Sequence, residues 1–97
     1  MSADRLRTEH VERLLRAFAD LGDADAVYAF LQDVCTVREI QDMAQRLEVA
    51  RMLAAGEHYD HIREMTGAST TTISRVSRAL NYGADGYRAV LDPTREA

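Results

Sequence analysis

The chain has 97 residues, 46 % of them hydrophobic, and a formal net charge of −4. That length points to one domain with a modest core, and that composition excludes a disordered polymer. Cys35 stands alone, which excludes an intrachain disulfide and a cysteine-based zinc site; no stretch reads as a membrane span or a secretory leader, so a cytoplasmic location is expected.

The charge is unevenly spread. Residues 1–60 hold seven Arg against twelve acids, net −5, whereas residues 61–82 hold three Arg against Glu64 alone, net +2. All twelve basic residues are Arg, whose planar forks suit phosphate oxygens and guanine edges but suit surface ion pairs equally well.

In chain order, residues 5–21 place Val11, Leu14, Leu15, Phe18 and Leu21 at offsets 0, 3, 4, 7 and 10, the spacing of one helix face. Gly22 and Asp23 end that helix. A second, short helix is expected over 25–35, with Val27, Phe30, Leu31 and Val34 on one side. Thr36 and Glu39 have the spacing of a capping box, in which each side chain accepts from the other residue's amide. A long helix follows, with Ile40, Met43, Ala44, Leu47 and Ala50 in register and Gly56 as its stop. Residues 59–66 read as a short helix with Ile62 and Met65 inward. Gly67-Ala68-Ser69 reads as a tight turn, then a helix from about Thr70 to Leu80, with Gly83 able to cap it. Residues 86–91 complete the list before Pro93, the single proline.

The reading is therefore all-α, one domain over 1–97. Residues 5–56 form dimerisation helices, 57–83 a helix-turn-helix, and 84–97 a short helix and tail. Dimerisation is expected because the first three helices carry more apolar surface than two further short helices can cover.

Three threonines, Thr70, Thr71 and Thr72, open the helix at 70–80, although β-branched residues are poor helix formers. At 100° per residue, Ile73, Val76 and Leu80 fall together and must face a core. Thr71, Arg75 and Arg78 fall opposite, with Ser74 beside them and Thr72 at the other edge. The outward face thus carries hydroxyls and guanidiniums and no acid. Ser69 is placed to cap the first-turn amides, where threonine's poor propensity matters least. Helix–glycine turn–helix is the pattern that inserts the N-terminal turn of its second helix into a DNA major groove. There a threonine offers its hydroxyl to phosphates or base edges and its methyl to thymine. A capped helix with a merely wet polar face would leave the same pattern, and Arg78 could simply complement the helix's C-terminal dipole.

Several of these residues resemble the Trp repressor superfamily: Thr36, Arg38–Glu39, Arg46, the Ala54-Ala55-Gly56-Glu57 helix end, and Gly67-Ala68 with Thr72-Ile73-Ser74-Arg75 and Leu80. Asn81-Tyr82-Gly83 followed by Asp85-Gly86-Tyr87 is similar to the subgroup of YerC/YecD type. The resemblance implies an intertwined helical homodimer and a sequence-specific transcriptional repressor whose partner is double-stranded DNA. It places Thr70, Thr71 and Thr72 at the DNA, with Ser69, Arg75 and Arg78 on the same helix. It also implies an effector site matching Thr36, Arg46 and Arg75. On spacing alone Arg46 could instead pair with Glu39 or Asp42.

Two departures alter the expectation. In the family's tryptophan pocket a glycine directly follows the reading-helix Arg; here it is Val76, whose side chain takes the space an indole needs. Tryptophan is therefore not the expected ligand, and no cofactor is assigned. The stretch from Gly56 to Gly67 is also one residue shorter, so Asp60 or His61 falls where the family has a base-reading Arg. Arg63, one turn later, is the expected substitute.

His58 and His61 share a helix face but lack an evident third metal ligand. They read as surface histidines, and Tyr59, Tyr82 and Tyr87 as amphipathic packing groups. No nucleophile triad or phosphate-binding glycine loop is present, so no enzyme activity is expected. The competing reading is a helical dimeric interaction module that has lost DNA reading, which the acidic first sixty residues favour.

Overall fold

The computed structural model describes residues 5–92 and Thr94; Pro93 lies outside the described residues. Among them there are six helices and no strand: α1 Glu9–Asp20, α2 Ala24–Val34, α3 Val37–Ala54, α4 Tyr59–Thr66, α5 Thr70–Tyr82 and α6 Gly86–Leu91. The chain divides into two compact units, Met1–Val37 and Arg38–Ala97.

In the first unit α1 begins at Glu9 rather than at residue 5. Thr8 explains the boundary: its side chain accepts from the Val11 amide, so the helix starts behind a hydroxyl cap. Glu9 and Glu12 sit in the first turn, where the helix dipole favours anions. Glu12 is also gripped by Arg7, and Glu9 pairs with Arg13 at 3.4 Å. Asp23 caps α2 by accepting from the Ala26 amide at 2.8 Å. Phe18 of α1 meets Phe30 of α2 edge to face, with ring centroids 5.2 Å apart. Yet no residue of either helix is buried.

The second unit holds the core. Val49, Ala50 and Met52 of α3, Ile62 of α4, Ala68 of the following turn, and Ile73 and Val76 of α5 form one buried cluster, with Leu53, Tyr87 and Leu91 packed against it. Ile62, Ile73 and Val49 are fully buried. Only the C-terminal half of α3 contributes; Met43 and Leu47, expected on the same apolar stripe, are exposed. Met65, expected inward, is 65 % exposed. Ala68, in the turn that follows, is buried in the core cluster instead.

α3 stops as expected at Gly56, in the left-handed region at φ 84°. The Glu57 amide donates to the Met52 carbonyl and the Gly56 amide to the Leu53 carbonyl, the paired bonds of a Schellman motif. α5 runs two residues further than expected, to Tyr82, and closes on Gly83. That glycine is needed for space, not for a left-handed turn: a Cβ there would lie 2.3 Å from the Ala79 carbonyl oxygen.

Candidate nucleic-acid interface

The turn joining α4 to α5 is braced from several sides. α4 ends at Gly67, whose φ of 74° is the left-handed cap that glycine adopts without strain. Its amide donates to the Arg63 carbonyl at 2.9 Å. The Thr66 hydroxyl donates to the Ile62 carbonyl at 2.7 Å and accepts from the Ala68 amide at 3.1 Å. From α3, Gln45 Nε2 donates to the Thr66 carbonyl at 3.1 Å. Two carbonyls that the end of α4 would leave without an intrahelical donor, those of Arg63 and Thr66, are therefore satisfied.

Ser69 is the N-cap of α5. Its Oγ accepts from the Thr72 amide at 3.1 Å and lies 3.1 Å from the Thr72 hydroxyl. Thr72 is half-buried by that pairing, whereas Ser69, Thr70 and Thr71 are exposed. Ile73, Val76 and Leu80 are buried, as their spacing required. Opposite them Thr71, Arg75 and Arg78 form one exposed face, with Ser74 alongside. Neither the Arg75 nor the Arg78 side chain has a hydrogen bond or ion pair among the described residues, and the same holds for the exposed Arg63 of α4. Arg7, Arg13, Arg38 and Arg51, by contrast, each hold a carboxylate.

Around Arg63 an open depression is lined by His58, Asp60, His61 and Glu64. His61 lies 3.9 Å from Glu57 and 4.0 Å from Glu64, so this wall of α4 mixes both signs of charge.

At the other end of α5, the Arg88 side chain of α6 donates to the Leu80 carbonyl and to Asn81 Oδ1, both at 3.1 Å. Asn81 in turn donates to the Ser77 carbonyl at 2.9 Å. This clasp satisfies the late Leu80 carbonyl of α5 from outside the helix. Arg88, Gln45 and Thr66 all support the motif, and none was expected to: the bonds of Gln45 and Arg88 join residues 21 and eight positions apart, which no periodicity connects.

The residues matched to an effector site lie on different elements. Thr36 is exposed just before α3, in the first unit. Arg46 is exposed on α3 and Arg75 on α5. Asp42 pairs with Arg38 at 3.6 Å, not with Arg46. Val76 is 2 % exposed and sits in the core cluster.

A short helix, a glycine-closed turn and a longer helix with a cationic outward face, set in an all-helical chain, define a helix-turn-helix protein. The chain belongs to the Trp repressor family, whose model, the Trp repressor protein, matches residues 9–95. It is 50 % identical to the uncharacterized protein YerC of Bacillus subtilis (strain 168), over 99 % of this chain and 92 % of that one. Its fold is similar to the crystal structure of a candidate Trp repressor from Staphylococcus aureus, with a TM-score of 0.89 and 42 % identity over 98 % of this chain and 95 % of that one. A TrpR-like protein from Eubacterium eligens gives the same TM-score at 50 % identity, over 95 % of each chain.

Proposed function

We propose that the protein is a dimeric, sequence-specific DNA-binding transcriptional regulator of repressor type, acting in the bacterial cytoplasm and reading the major groove with α5. The observation that carries this reading is the outward face of α5: hydroxyls and two unpaired guanidiniums, with no acid, opposite a ridge locked into the core. Of the chain's ten other arginines, four hold carboxylates of their own: Arg7, Arg13, Arg38 and Arg51. Membership of a regulator family points the same way.

In this reading the braced turn delivers the first turn of α5 to the groove. The Thr70 and Thr71 hydroxyls and the free amides behind the Ser69 cap meet phosphates and base edges, and Arg75 reaches guanine. Arg63 meets the backbone from α4. A second copy supplies a second α5, so that paired half-sites fall about one helical turn apart, roughly 34–36 Å. The exposed apolar residues of α1 and α2, Leu14, Leu15 and Val34 among them, support dimerisation. Thr36, Arg46 and Arg75 are the residues proposed to meet a small anionic effector. Tryptophan is not the effector proposed, because Val76 stands where the family's tryptophan pocket has a glycine; a thermal-shift titration with tryptophan should give no shift.

The test pairs mobility shift on genomic fragments with light scattering. With Arg63 and Arg78 on phosphates, four such contacts per dimer give a log–log salt slope of about −3.6, or a loss of about 10² in affinity between 50 and 200 mM salt. A stable dimer that binds no duplex at low salt would instead establish the interaction module that the acidic first sixty residues favour.

A further inference from the structure

The outward face of α5 does not stop at Arg78. On the same 100° wheel Tyr82 lies between Thr71 and Arg75, four residues beyond Arg78 on the same face. It is the most exposed large apolar side chain among the described residues, at 87 %. Exposing a whole tyrosine ring forgoes burial that a packing role would have used. Tyr82 and Arg78 line one open depression together with Ser74, Ser77 and Asn81. Within it Asn81 is committed: it accepts from Arg88 and donates to the Ser77 carbonyl. Arg78 and Tyr82 have no hydrogen bond or ion pair among the described residues, so their donors remain available.

Geometry separates these two residues from the base-reading end. Eleven residues of helix set Tyr82 about 16 Å along the axis from Thr71. A major groove is about 12 Å wide and about 8.5 Å deep. If Thr71 is at the base edges, Tyr82 has left the groove floor and stands against a sugar–phosphate strand. Its nearest cationic neighbour on that face is Arg78, one turn back. The nearest acid beyond it, Asp85, already follows the bend at Gly83.

We infer that Arg78 and Tyr82 form a phosphate-anchoring pair at the C-terminal end of the reading helix, distinct in role from the base-reading Thr71 and Arg75. The inference rests on the DNA-binding reading above. Arg78 supplies the charge and the Tyr82 hydroxyl a neutral donor to the same backbone strand, while the Arg88–Asn81 clasp keeps this end of α5 from fraying. Contacts of this kind fix register and orientation without carrying sequence information.

The test uses the full chain and two duplexes: the site it selects from a random pool, and a scrambled duplex of equal length. Tyr82→Phe removes only the hydroxyl, Tyr82→Ala the ring as well, and Arg78→Gln the charge. Because both positions are exposed, far-ultraviolet circular dichroism should match the unaltered protein. Tyr82→Ala should weaken both duplexes by a similar factor, about five- to tenfold, with Tyr82→Phe in the same direction. Arg78→Gln should weaken both and flatten the salt slope by about 0.9 per protomer. Repeating the selection should return the same preferred sequence for every variant. A changed preference would place these side chains on bases, and unchanged affinity for both duplexes would remove them from the interface; either overturns the inference. If the unaltered protein binds no duplex, the parent reading falls and takes this one with it, a result readily told apart from the other two.

Discussion

The two units of the chain solve the same problem differently. In Arg38–Ala97, apolar side chains from three helices and a turn meet in one sealed cluster, and every buried residue of the described chain lies there. In Met1–Val37, two well-capped amphipathic helices meet at one aromatic pair and bury no residue. The polar side of the contrast runs in parallel: the first unit's Arg7 and Arg13 are tied to carboxylates, whereas the helix-turn-helix leaves Arg63, Arg75 and Arg78 untied. Good local signals therefore make helices in both units, but only the second has the volume to fix a site. The first leaves Leu14, Leu15 and Val34 exposed within one chain.

The contrast can be broken most severely at the core. Ile73→Ala should cost about 2–5 kcal/mol, enough to unfold much of the protein at ambient temperature, read as a lowered urea midpoint. If Ile73 is less central than its full burial indicates, the loss will stay below 1 kcal/mol.

A large effect of a different kind is expected in the first unit. Replacing Leu14 and Leu15 together by Ser removes side chains that are 39 % and 43 % exposed within one chain. For a merely wetted face this costs little, within about 0.5 kcal/mol. If a second copy covers it, sedimentation equilibrium should show the mass falling from two chains to one, and the melting temperature should lose its dependence on concentration. An unchanged mass would leave the helices as a solvated appendage.

Gly83→Ala sharpens the comparison at the far end of α5. The new methyl would sit 2.3 Å from the Ala79 carbonyl oxygen, a backbone atom that cannot swing aside. We expect a loss of about 1–3 kcal/mol together with weaker duplex binding, because the Arg88–Asn81 clasp depends on the same bend. Ala at Gly22, where a Cβ meets nothing within 4 Å, is the neutral control.

The smallest effect should come from acid. Hydrogen bonding from Arg7 holds the Glu12 carboxyl below its ordinary 4.5, and Arg51 does the same for Glu48 at 3.0 Å. Since the folded values are depressed, these pairs contribute fully above the ordinary value and lose their contribution as pH falls from about 4.5 through the folded value. Both pairs are exposed, so the change in urea midpoint on acidification should be slight and should vanish in high salt. A comparable loss between about pH 7 and 5 would have another origin.

What could be read from the sequence divides along similar lines. Ile73, Val76 and Leu80 were legible because a thirteen-residue helix repeats its signal over three turns. All six helices were legible in kind, and Gly56 and Gly67 marked real left-handed stops. Met65 was misjudged because an eight-residue helix gives barely two turns of pattern, and Ala68, small and in a turn, gave no sign that it would fill that corner. The expected helix starts at residue 5, three residues ahead of the Thr8 cap, because the apolar stripe that marks it begins only at Val11 and leaves its first turn unmarked. Gly83 was recognised as a stop, but its cause, the close approach to Ala79, exists only in three dimensions. The exposed cationic face could be foreseen from the wheel; the bonds of Gln45 and Arg88 that orient it could not.

The central claim is that the outward face of α5 chooses among DNA sequences, and selection of bound duplexes from a random pool tests it most directly. The unaltered protein should enrich a two-fold symmetric site with half-sites about one helical turn apart. With Thr71 and Arg75 both changed to Ala, the chain should keep its helicity and dimeric mass while the enrichment disappears. If the double variant enriches the same site as strongly, α5 does not read the sequence.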